Sequence, residues 1–429
     1  MIKKVQPGTK LSGTVTAPPD KSISHRSALF AALSREVSVI ENFSEAADPQ
    51  STLNCLTLLG VEIDRNGRSV RIRGVGRDGF QTPLKPLDCG NSGTTMRLLS
   101  GIVAGAGIEC RLTGDASLSS RTMKRIMDPL KQMGCTIDGK DGEYAPIHIG
   151  KNQGLRPLRY PLPIPSAQLK SCVLLAGLFS DDPVEVVEPI PSRDHTERLL
   201  ELDSEAFGTA KVIRSSRSDV IPAQNYEVPG DFSAAAFWMV GGTIFPGAEI
   251  RISNTGMNPT RNAAYHILEQ MGAEFERTND RFAQKEPVSD LTVTSSALRA
   301  IELDPALVPN CIDELPVLMV AMCFAEGRSV ISGASELRHK ETDRLAAMHE
   351  ILTLAGAKTE LKEDGIIIYG NPDFEPLAAR YPSFHDHRMA MASAILALRS
   401  KGSSEIVDAE CTAISYPHFW QDLSALQEN

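Results

Sequence analysis

The sequence predicts an α/β (α+β) chain of two domains, each assembled from three similar helix-plus-sheet units. Three observations lead to that expectation. First, an amphipathic helical segment repeatedly ends at a glycine and is followed by strand, turn and strand, at Gly60, Gly134, Gly208, Gly272 and Gly356. Second, these glycines recur about every 70 residues, a period that fits about six times into the chain, and a unit that cannot bury its own apolar face needs neighbours. Third, 429 residues correspond to two or three domains at about 150 residues each. Hydrophobic residues at 42% and charged residues at 23% are ordinary globular usage, which excludes a wholly disordered, collagen-like or fibrous chain.

The individual elements follow from local chemistry. Glycine after the last apolar turn ends a helix because it adopts the left-handed conformation without strain. The clearest copies run from Ser51 to Gly60 and from Arg121 to Gly134; the copy ending at Gly208 is weaker. Asp48-Pro49 and Asn258-Pro259 read as an N-cap followed by a first-turn proline, opening two of the helices. Val61–Ile63 and Ser69–Arg73 alternate apolar and polar residues, as half-buried strands do. No stretch is long or rich enough in Pro, Gly and Ser to be a flexible linker. The domain boundary is therefore tight, with Asp20–Ser22 and Pro229–Ser233 as candidate crossings.

Charge and cysteine usage narrow the partners. The chain carries 54 acidic and 44 basic residues, a net charge of −10, which argues against sequence-independent nucleic-acid binding. The first ten residues hold lysines with no apolar stretch behind them, so no secretory signal is expected. No apolar run reaches the length of a membrane span. The eight cysteines are scattered without a C-x-x-C pair, so neither a disulfide framework nor a zinc site is expected. A reducing cytoplasm is the expected compartment.

Several clusters place cations where an anion would bind. Lys21, Ser22 and Arg26 bring an ammonium, a hydroxyl and a guanidinium to a helix start, where backbone N–H groups also favour anions. Alone, this cluster also fits a solvated turn. Gly90-Asn-Ser-Gly-Thr94 has the composition of a loop that lets an anion approach the backbone, or of an ordinary capping turn. Arg121, Lys124 and Arg125 share a helix start, against the helix dipole. Lys340 and Arg344 are four apart on one helical face with Glu341 between them; the ordinary reading is a surface ion-pair network. Asp313-Glu314 precedes the apolar run Leu315–Val320, where desolvation suits a general base and simple capping is equally open. His385-x-His387 is followed at once by Arg388, which disfavours a metal.

Taken together, these segments resemble the 5-enolpyruvylshikimate-3-phosphate synthase family. The matching pieces are Asp20-Lys-Ser-Ile-Ser-His-Arg26, Leu87-Asp-Cys-Gly-Asn-Ser-Gly-Thr94 with Arg97, and Gly114-Asp-Ala-Ser-Leu118 with Arg121. They continue with Ser166-Ala-Gln168, Ser192-Arg-Asp-His-Thr-Glu-Arg198, Pro229-Gly-Asp231 and Asp313-Glu-Leu-Pro316. Glu336-Leu-Arg-His-Lys-Glu-Thr-Asp-Arg344 and Asp386-His-Arg388 close the set. Each piece is weak alone, but their order over nearly the whole chain is specific.

The resemblance implies two similar domains of three β-α-β-α-β-β repeats, an inside-out α/β barrel of the enolpyruvyl transferase fold. The first domain would comprise residues 1–20 and 230–429 and the second residues 21–229, with the active site in the cleft between them. The implied reaction adds the enolpyruvyl group of phosphoenolpyruvate to the 5-hydroxyl of shikimate 3-phosphate and releases phosphate, on the route to chorismate and aromatic amino acids. Carried over by position, Lys21, Ser22, Arg26, Ser166, Ala167, Gln168, Ser192, Asp313 and Lys340 would bind shikimate 3-phosphate. Lys21, Asn91, Gly93, Thr94, Arg121, Gln168, Arg344 and Arg388 would bind phosphoenolpyruvate. Asp313 would be the base on the 5-hydroxyl, with Glu341 and Lys21 as proton donors. No metal or cofactor is implied, and the expected partners are the two substrates, without nucleic acid, membrane or a second subunit.

The chain departs from the family pattern in places. Many members carry a lysine just before a Ser/Thr-Phe/Tyr-Pro segment near the C-terminus. Here the stretch Cys411-Thr-Ala-Ile414-Ser-Tyr-Pro417 has none. Losing one charge contact weakens phosphoenolpyruvate binding by about 1.5–3 kcal/mol, with Lys21, Arg121, Arg344 and Arg388 remaining. The related UDP-N-acetylglucosamine enolpyruvyl transferases are the nearest alternative. Their usual loop cysteine is absent from Gly114–Arg121. A non-catalytic anion-binding homologue would also fit the missing lysine, but not the intact Lys21, Asp313, Glu341 and Arg344.

Overall fold

A computed structural model of the chain describes residues 1–221 and 223–428. The chain divides into two compact units. One comprises Met1–Pro18, Gly230–Phe282 and the segment from Pro287 onward; the other comprises Pro19–Pro229 with Ala283–Glu286. Residues 283–286, which the sequence assigned to the discontinuous domain, thus group with the continuous one. Among the described residues the strands form six sheets, three in each unit.

One plan recurs in the sheets of the Pro19–Pro229 unit. Strand Leu87–Asp88, helix Gly93–Ala106, strand Cys110–Thr113, helix Lys124–Gln132 and the strands Ile137–Lys140 and Tyr144–Ile149 follow one another. The first strand pairs parallel with the second, the second antiparallel with the last, and the hairpin completes the sheet. Arg159–Pro161, Ala167–Gly177, Val184–Glu188, His195–Leu200, Ser204–Phe207 and Ala210–Ser215 repeat the same order and pairing. The remaining repeat, beginning at helix Lys21–Leu33, takes its leading strand from the far end of the unit, where Tyr226–Glu227 pairs parallel with Val37–Glu41.

The other unit follows the same plan with borrowed strands. Ser12–Thr16 pairs parallel with Glu249–Gly256, so the leading strand of that repeat precedes the inserted unit in sequence. The bridges Arg299↔Glu326 and Glu302↔Val330 stand in for the leading strand of the next repeat. Ile2–Val5 pairs antiparallel with Ser404–Val407 and completes the C-terminal sheet.

The helices that follow the leading strands form the interior. Phe232–Ile244, Leu315–Cys323 and His387–Ala397 are buried at every position, as helices apolar all round must be. Trp238 stacks on Phe419 with ring centroids 5.1 Å apart, and its indole N–H donates to the Tyr416 hydroxyl at 3.0 Å, so a large buried aromatic keeps its polar atom paired. Among the described residues no single helix is long and apolar enough to cross a membrane. All eight cysteines are buried and none forms a disulfide, and no described group of three or more His, Cys, Asp and Glu is arranged to hold a metal.

Several sequence expectations need correction at element ends. Gly208 does not end a helix. It lies at φ 62° in the turn between Ser204–Phe207 and Ala210–Ser215, and the helix His195–Leu200 ends on Glu201 at φ 52°. A hairpin turn and a helix C-terminus both use a positive φ, so a glycine alone does not distinguish them. Asn258-Pro259 lies ahead of helix Ala263–Met271, whose N-cap is Asn262; the Asn258 side chain instead accepts from Thr260 N at 2.9 Å. Asp48 stands in the first turn of helix Ala47–Leu58 rather than at its cap, which is Ala46, and its carboxylate accepts from Lys21. Arg121 precedes helix Lys124–Gln132 rather than sharing its start. Lys340 is extended, after the 3-10 turn Ser335–His339, whereas Arg344 opens helix Arg344–Leu354, so the two do not share a helical face.

Candidate active site

In the Pro19–Pro229 unit, three buried helices begin with a capping side chain. Asp20 Oδ1 accepts from Ile23 N at 2.8 Å, Ser92 Oγ from Thr95 N at 3.0 Å, and Ser166 Oγ from Leu169 N at 3.3 Å. A cap satisfies one orphan amide and leaves the positive end of the helix open to an anion. Side chains tie the three starts together. Gln168 Nε2 donates to Thr94 Oγ1 at 2.9 Å, the Thr95 hydroxyl reaches the Asp48 carbonyl at 3.4 Å, and Lys21 Nζ donates to Asp48 Oδ2 at 3.0 Å.

Two guanidiniums lie over the Gly93 start. Arg97 Nη1 donates to Gln168 Oε1 at 2.6 Å, and Arg121 Nη2 donates to Asn91 Oδ1 and Ser117 Oγ, each at 3.0 Å. Asn91 is oriented in turn by donating to Asp115 Oδ2 at 2.8 Å. A Cβ on Gly93 would lie 2.8 Å from Arg97 Nη1 and 3.8 Å from Arg121 Nη1. The bare glycine lets Arg97 lie this close to the backbone, while Arg121 stays at ordinary contact distance. Of the residues proposed from sequence, Lys21, Asn91, Gly93, Thr94, Arg121 and Gln168 thus form one connected group.

Other proposed residues sit differently. Arg26 is buried, and its guanidinium donates to Thr196 Oγ1, the Ser22 carbonyl and Ser171 Oγ at 2.8, 3.1 and 2.9 Å. Burial pushes its pKa down to about 10, with Glu197 and Asp20 opposing the shift; it remains a cation at neutral pH. The Ser166 hydroxyl is engaged as a cap, and Ala167 opens its helix half-buried. Ser192 is buried, with both its N–H and its hydroxyl donated to Glu188 Oε1. Glu188 and Glu197 together hold the fully buried Lys170, at 2.9 and 2.7 Å. Ser192 therefore belongs to an interior ion cluster.

In the other unit, one buried arginine organises the carboxylates. Arg344 Nε donates to Asp386 Oδ2 at 2.8 Å, Nη2 to Glu341 Oε2 at 2.6 Å, and Nη1 to Asp313 Oδ1 at 3.3 Å. Burial acts to lower its pKa, but Asp386, Glu341 and Asp313 hold it above the ordinary arginine value. Arg388 donates from Nη1 to the Asp313 carbonyl at 2.8 Å, and its Nε lies 3.7 Å from Asp313 Oδ1. Asp386 caps helix His387–Ala397 through Arg388 N at 2.8 Å. Burial lowers the Lys340 pKa; Asp313 and Glu336 oppose the shift and Arg344 adds to it. Asp313, Glu341, Arg344 and Arg388 are thus brought together, with Lys340 in their field. Glu314 makes no side-chain cap bond and instead faces Ser233 and is fully buried.

From sequence, Asp48 reads only as a helix cap, and Arg97 and Asp386 only as members of the matching segments. Arg97 was legible in principle, since it stands four residues after Gly93 and so shares its helix face. The roles of Asp48 and Asp386 depend on pairings between distant segments. At the departure from the family pattern, Ile414 packs against the apolar core of its unit. Lys401 pairs with Glu375 at 2.7 Å on the surface, so it does not replace the missing lysine.

Known proteins resemble the chain over nearly its whole length. Residues 5–423 match the family model for EPSP synthase (3-phosphoshikimate 1-carboxyvinyltransferase). The chain is 49% identical over 428 residues to the 3-phosphoshikimate 1-carboxyvinyltransferase of Salinibacter ruber, covering 99% of each. It is 45% identical to that of a Synechococcus strain, covering 99% of this chain and 98% of the relative. An EPSP synthase structure from Acinetobacter baumannii superposes with a TM-score of 0.88 at 39% identity, over 99% of this chain and 98% of that one. An enolpyruvyl transferase from Streptomyces tendae shares the fold, with a TM-score of 0.78 at 18% identity over 99% and 97% of the two chains. The expected two-domain enolpyruvyl transferase fold is the fold of this chain, and the chain belongs to the EPSP synthase (3-phosphoshikimate 1-carboxyvinyltransferase) family.

Proposed function

We propose that this protein transfers the enolpyruvyl group of phosphoenolpyruvate to the 5-hydroxyl of shikimate 3-phosphate, with release of phosphate. The observation that carries the proposal is the linked Gly93–Arg97–Gln168–Arg121 group at capped helix starts. It offers backbone amides and guanidiniums to a multiply charged anion. Lys21, Asn91, Gly93, Thr94, Arg121, Gln168, Arg344 and Arg388 bind phosphoenolpyruvate. Lys21, Ser22, Arg26, Ser166, Ala167, Gln168, Asp313 and Lys340 bind shikimate 3-phosphate, with Ser192 supporting them through Glu188. Gathering cations from both halves offsets the repulsion between two anions held at reacting distance.

The hydroxyl oxygen bonds to the central carbon of the enol while the methylene carbon takes a proton from Glu341 or Lys21. Asp313 accepts the hydroxyl proton. The resulting ketal expels phosphate as its new methyl group gives up a proton, which restores the vinyl double bond. The arginine neighbours stabilise the developing anions. We place the enzyme in the cytoplasm, acting as a monomer.

Phosphate release from phosphoenolpyruvate, measured with shikimate 3-phosphate or UDP-N-acetylglucosamine as acceptor, tests the reading. Release with the first acceptor alone is expected. Release only with the second assigns the chain to the other branch, and release with neither makes it a non-catalytic binder. Sedimentation velocity of the pure protein tests the monomer.

A further inference from the structure

We infer that His25 is a positioning residue for the Gly93 loop, acting through a buried relay of Thr52, Thr95 and Ser92. The inference rests on the reading of that loop as the phosphoenolpyruvate site. His25 Nδ1 lies 2.7 Å from Thr52 Oγ1, and Thr52 Oγ1 lies 2.8 Å from Thr95 Oγ1. The Thr95 hydroxyl donates to Ser92 Oγ at 2.8 Å, and Ser92 Oγ also accepts from Thr95 N. All four side chains have 0% exposure. The relay crosses the helices Lys21–Leu33, Ala47–Leu58 and Gly93–Ala106. It ends on the cap of the helix whose first residue faces Arg97 and Arg121.

The imidazole's contribution lies in that one bond. Burial, then the charges of Lys21 and Arg26, hold His25 neutral, so it carries one N–H and one lone pair. Its Nε2 is buried and has no hydrogen-bond partner among the described residues. An unpaired buried polar atom is costly, and an apolar side chain would fill the same space without that cost. The tautomer with Nδ1–H donating to Thr52 leaves the Thr52 hydroxyl free to donate to Thr95, whose own hydroxyl donates to Ser92 Oγ at 2.8 Å, with the Asp48 carbonyl farther off at 3.4 Å. Ser92 then accepts twice, and the cap that sets the Gly93 backbone is held from both the amide and the hydroxyl of Thr95. Losing a relay bond frees the cap to shift, and the effect falls on the anion held at the Gly93 start.

The test compares Thr52→Val and Thr95→Val, which keep shape and remove the hydroxyl, with Thr52→Ser, which keeps it. His25→Gln and Gly93→Ala complete the set. KM for phosphoenolpyruvate is expected to rise about three- to thirtyfold in each valine variant, and the double variant to rise less than the product of the two. KM for shikimate 3-phosphate and kcat move less, and Thr52→Ser restores KM. The inference is overturned if Gly93→Ala raises KM for phosphoenolpyruvate while the valine variants and His25→Gln leave it unchanged. It is also overturned if both KM values rise together with a fall in Tm, as packing loss alone would give. If Gly93→Ala itself leaves KM unchanged, the underlying assignment of the loop fails first.

Discussion

Arg97 Nη1 donates to Gln168 Oε1 over 2.6 Å, and this bond joins the start of helix Gly93–Ala106 to the start of helix Ala167–Gly177. Gln168 passes the link on to Thr94. Arg97→Gln keeps a polar side chain but loses the cation and its reach. A hydrogen bond to a charged group contributes about 1.5–3 kcal/mol. We expect kcat/KM for phosphoenolpyruvate to fall about ten- to a hundredfold by the same measure. Steady-state kinetics with each substrate varied checks this; an unchanged KM for phosphoenolpyruvate removes Arg97 from the site.

The same two helices approach closely at Gly101. A Cβ there would lie 2.3 Å from the Cys172 carbonyl oxygen, which is rigid helix backbone. Gly101→Ala is expected to destabilise the protein by about 1–3 kcal/mol through overpacking and to weaken phosphoenolpyruvate binding by parting the Arg97–Gln168 pair. Urea unfolding and kinetics on one preparation measure both effects.

Asp313 faces two buried guanidiniums, Arg344 at 3.3 Å and Arg388 at 3.7 Å. As the proposed base on the 5-hydroxyl, it is expected to act on the reaction more than on binding. Asp313→Ala is expected to lose turnover about a hundredfold or more while calorimetry still detects both substrates. Near-normal turnover removes it as the base.

Lys170 has no exposed surface and is held by Glu188 and Glu197. Their charges raise its pKa against the opposing effect of burial. Lys170→Met leaves two buried carboxylates without their cation, a change that costs about 3–5 kcal/mol. A marked fall in Tm is expected, and also a rise in KM for shikimate 3-phosphate, because Glu188 positions Ser192. An unchanged Tm contradicts the buried-charge argument.

His25 sets a pH dependence. Burial, with Lys21 and Arg26, holds its pKa well below the ordinary 6.5. Below that value the unfolded chain binds a proton that the folded chain does not. Stability therefore falls as pH drops below 6.5, by up to about 1.4 kcal/mol per pH unit, until the depressed folded value is reached. Above 6.5 the contribution is flat. Urea unfolding between pH 5 and 8 measures the slope, and His25→Gln should remove this share of it.

The segments from Asp20 to Arg388 made the candidate residues legible in the sequence through their order and the family resemblance it carries, because each segment's local composition also fits an ordinary turn or cap. Asn91 and Gly93 lie at a helix start, whereas Arg121 precedes one. Arg97 went without a role because a guanidinium within a helix also reads as a solvated residue. Lys340 and Arg344 were placed on one helical face because their spacing of four is correct for a helix; the 3-10 turn and the Asp343 cap intervene. Gly208 failed for the reason given above, that positive φ serves two kinds of turn.

By itself the sequence determined the repeat of helix and sheet, the family, and the cation-rich motifs, since periodicity, turn residues and caps act over a few neighbours. Only the tertiary structure decided which strands complete each sheet. Ser12–Thr16 joins Glu249–Gly256, and Ile2–Val5 joins Ser404–Val407, across separations that no local pattern encodes. It also decided which charges meet. Arg344 gathers Asp313, Glu341 and Asp386, and Lys170 takes Glu188 and Glu197. A buried charge has to find its partner through space, and burial itself exists only once the units have folded.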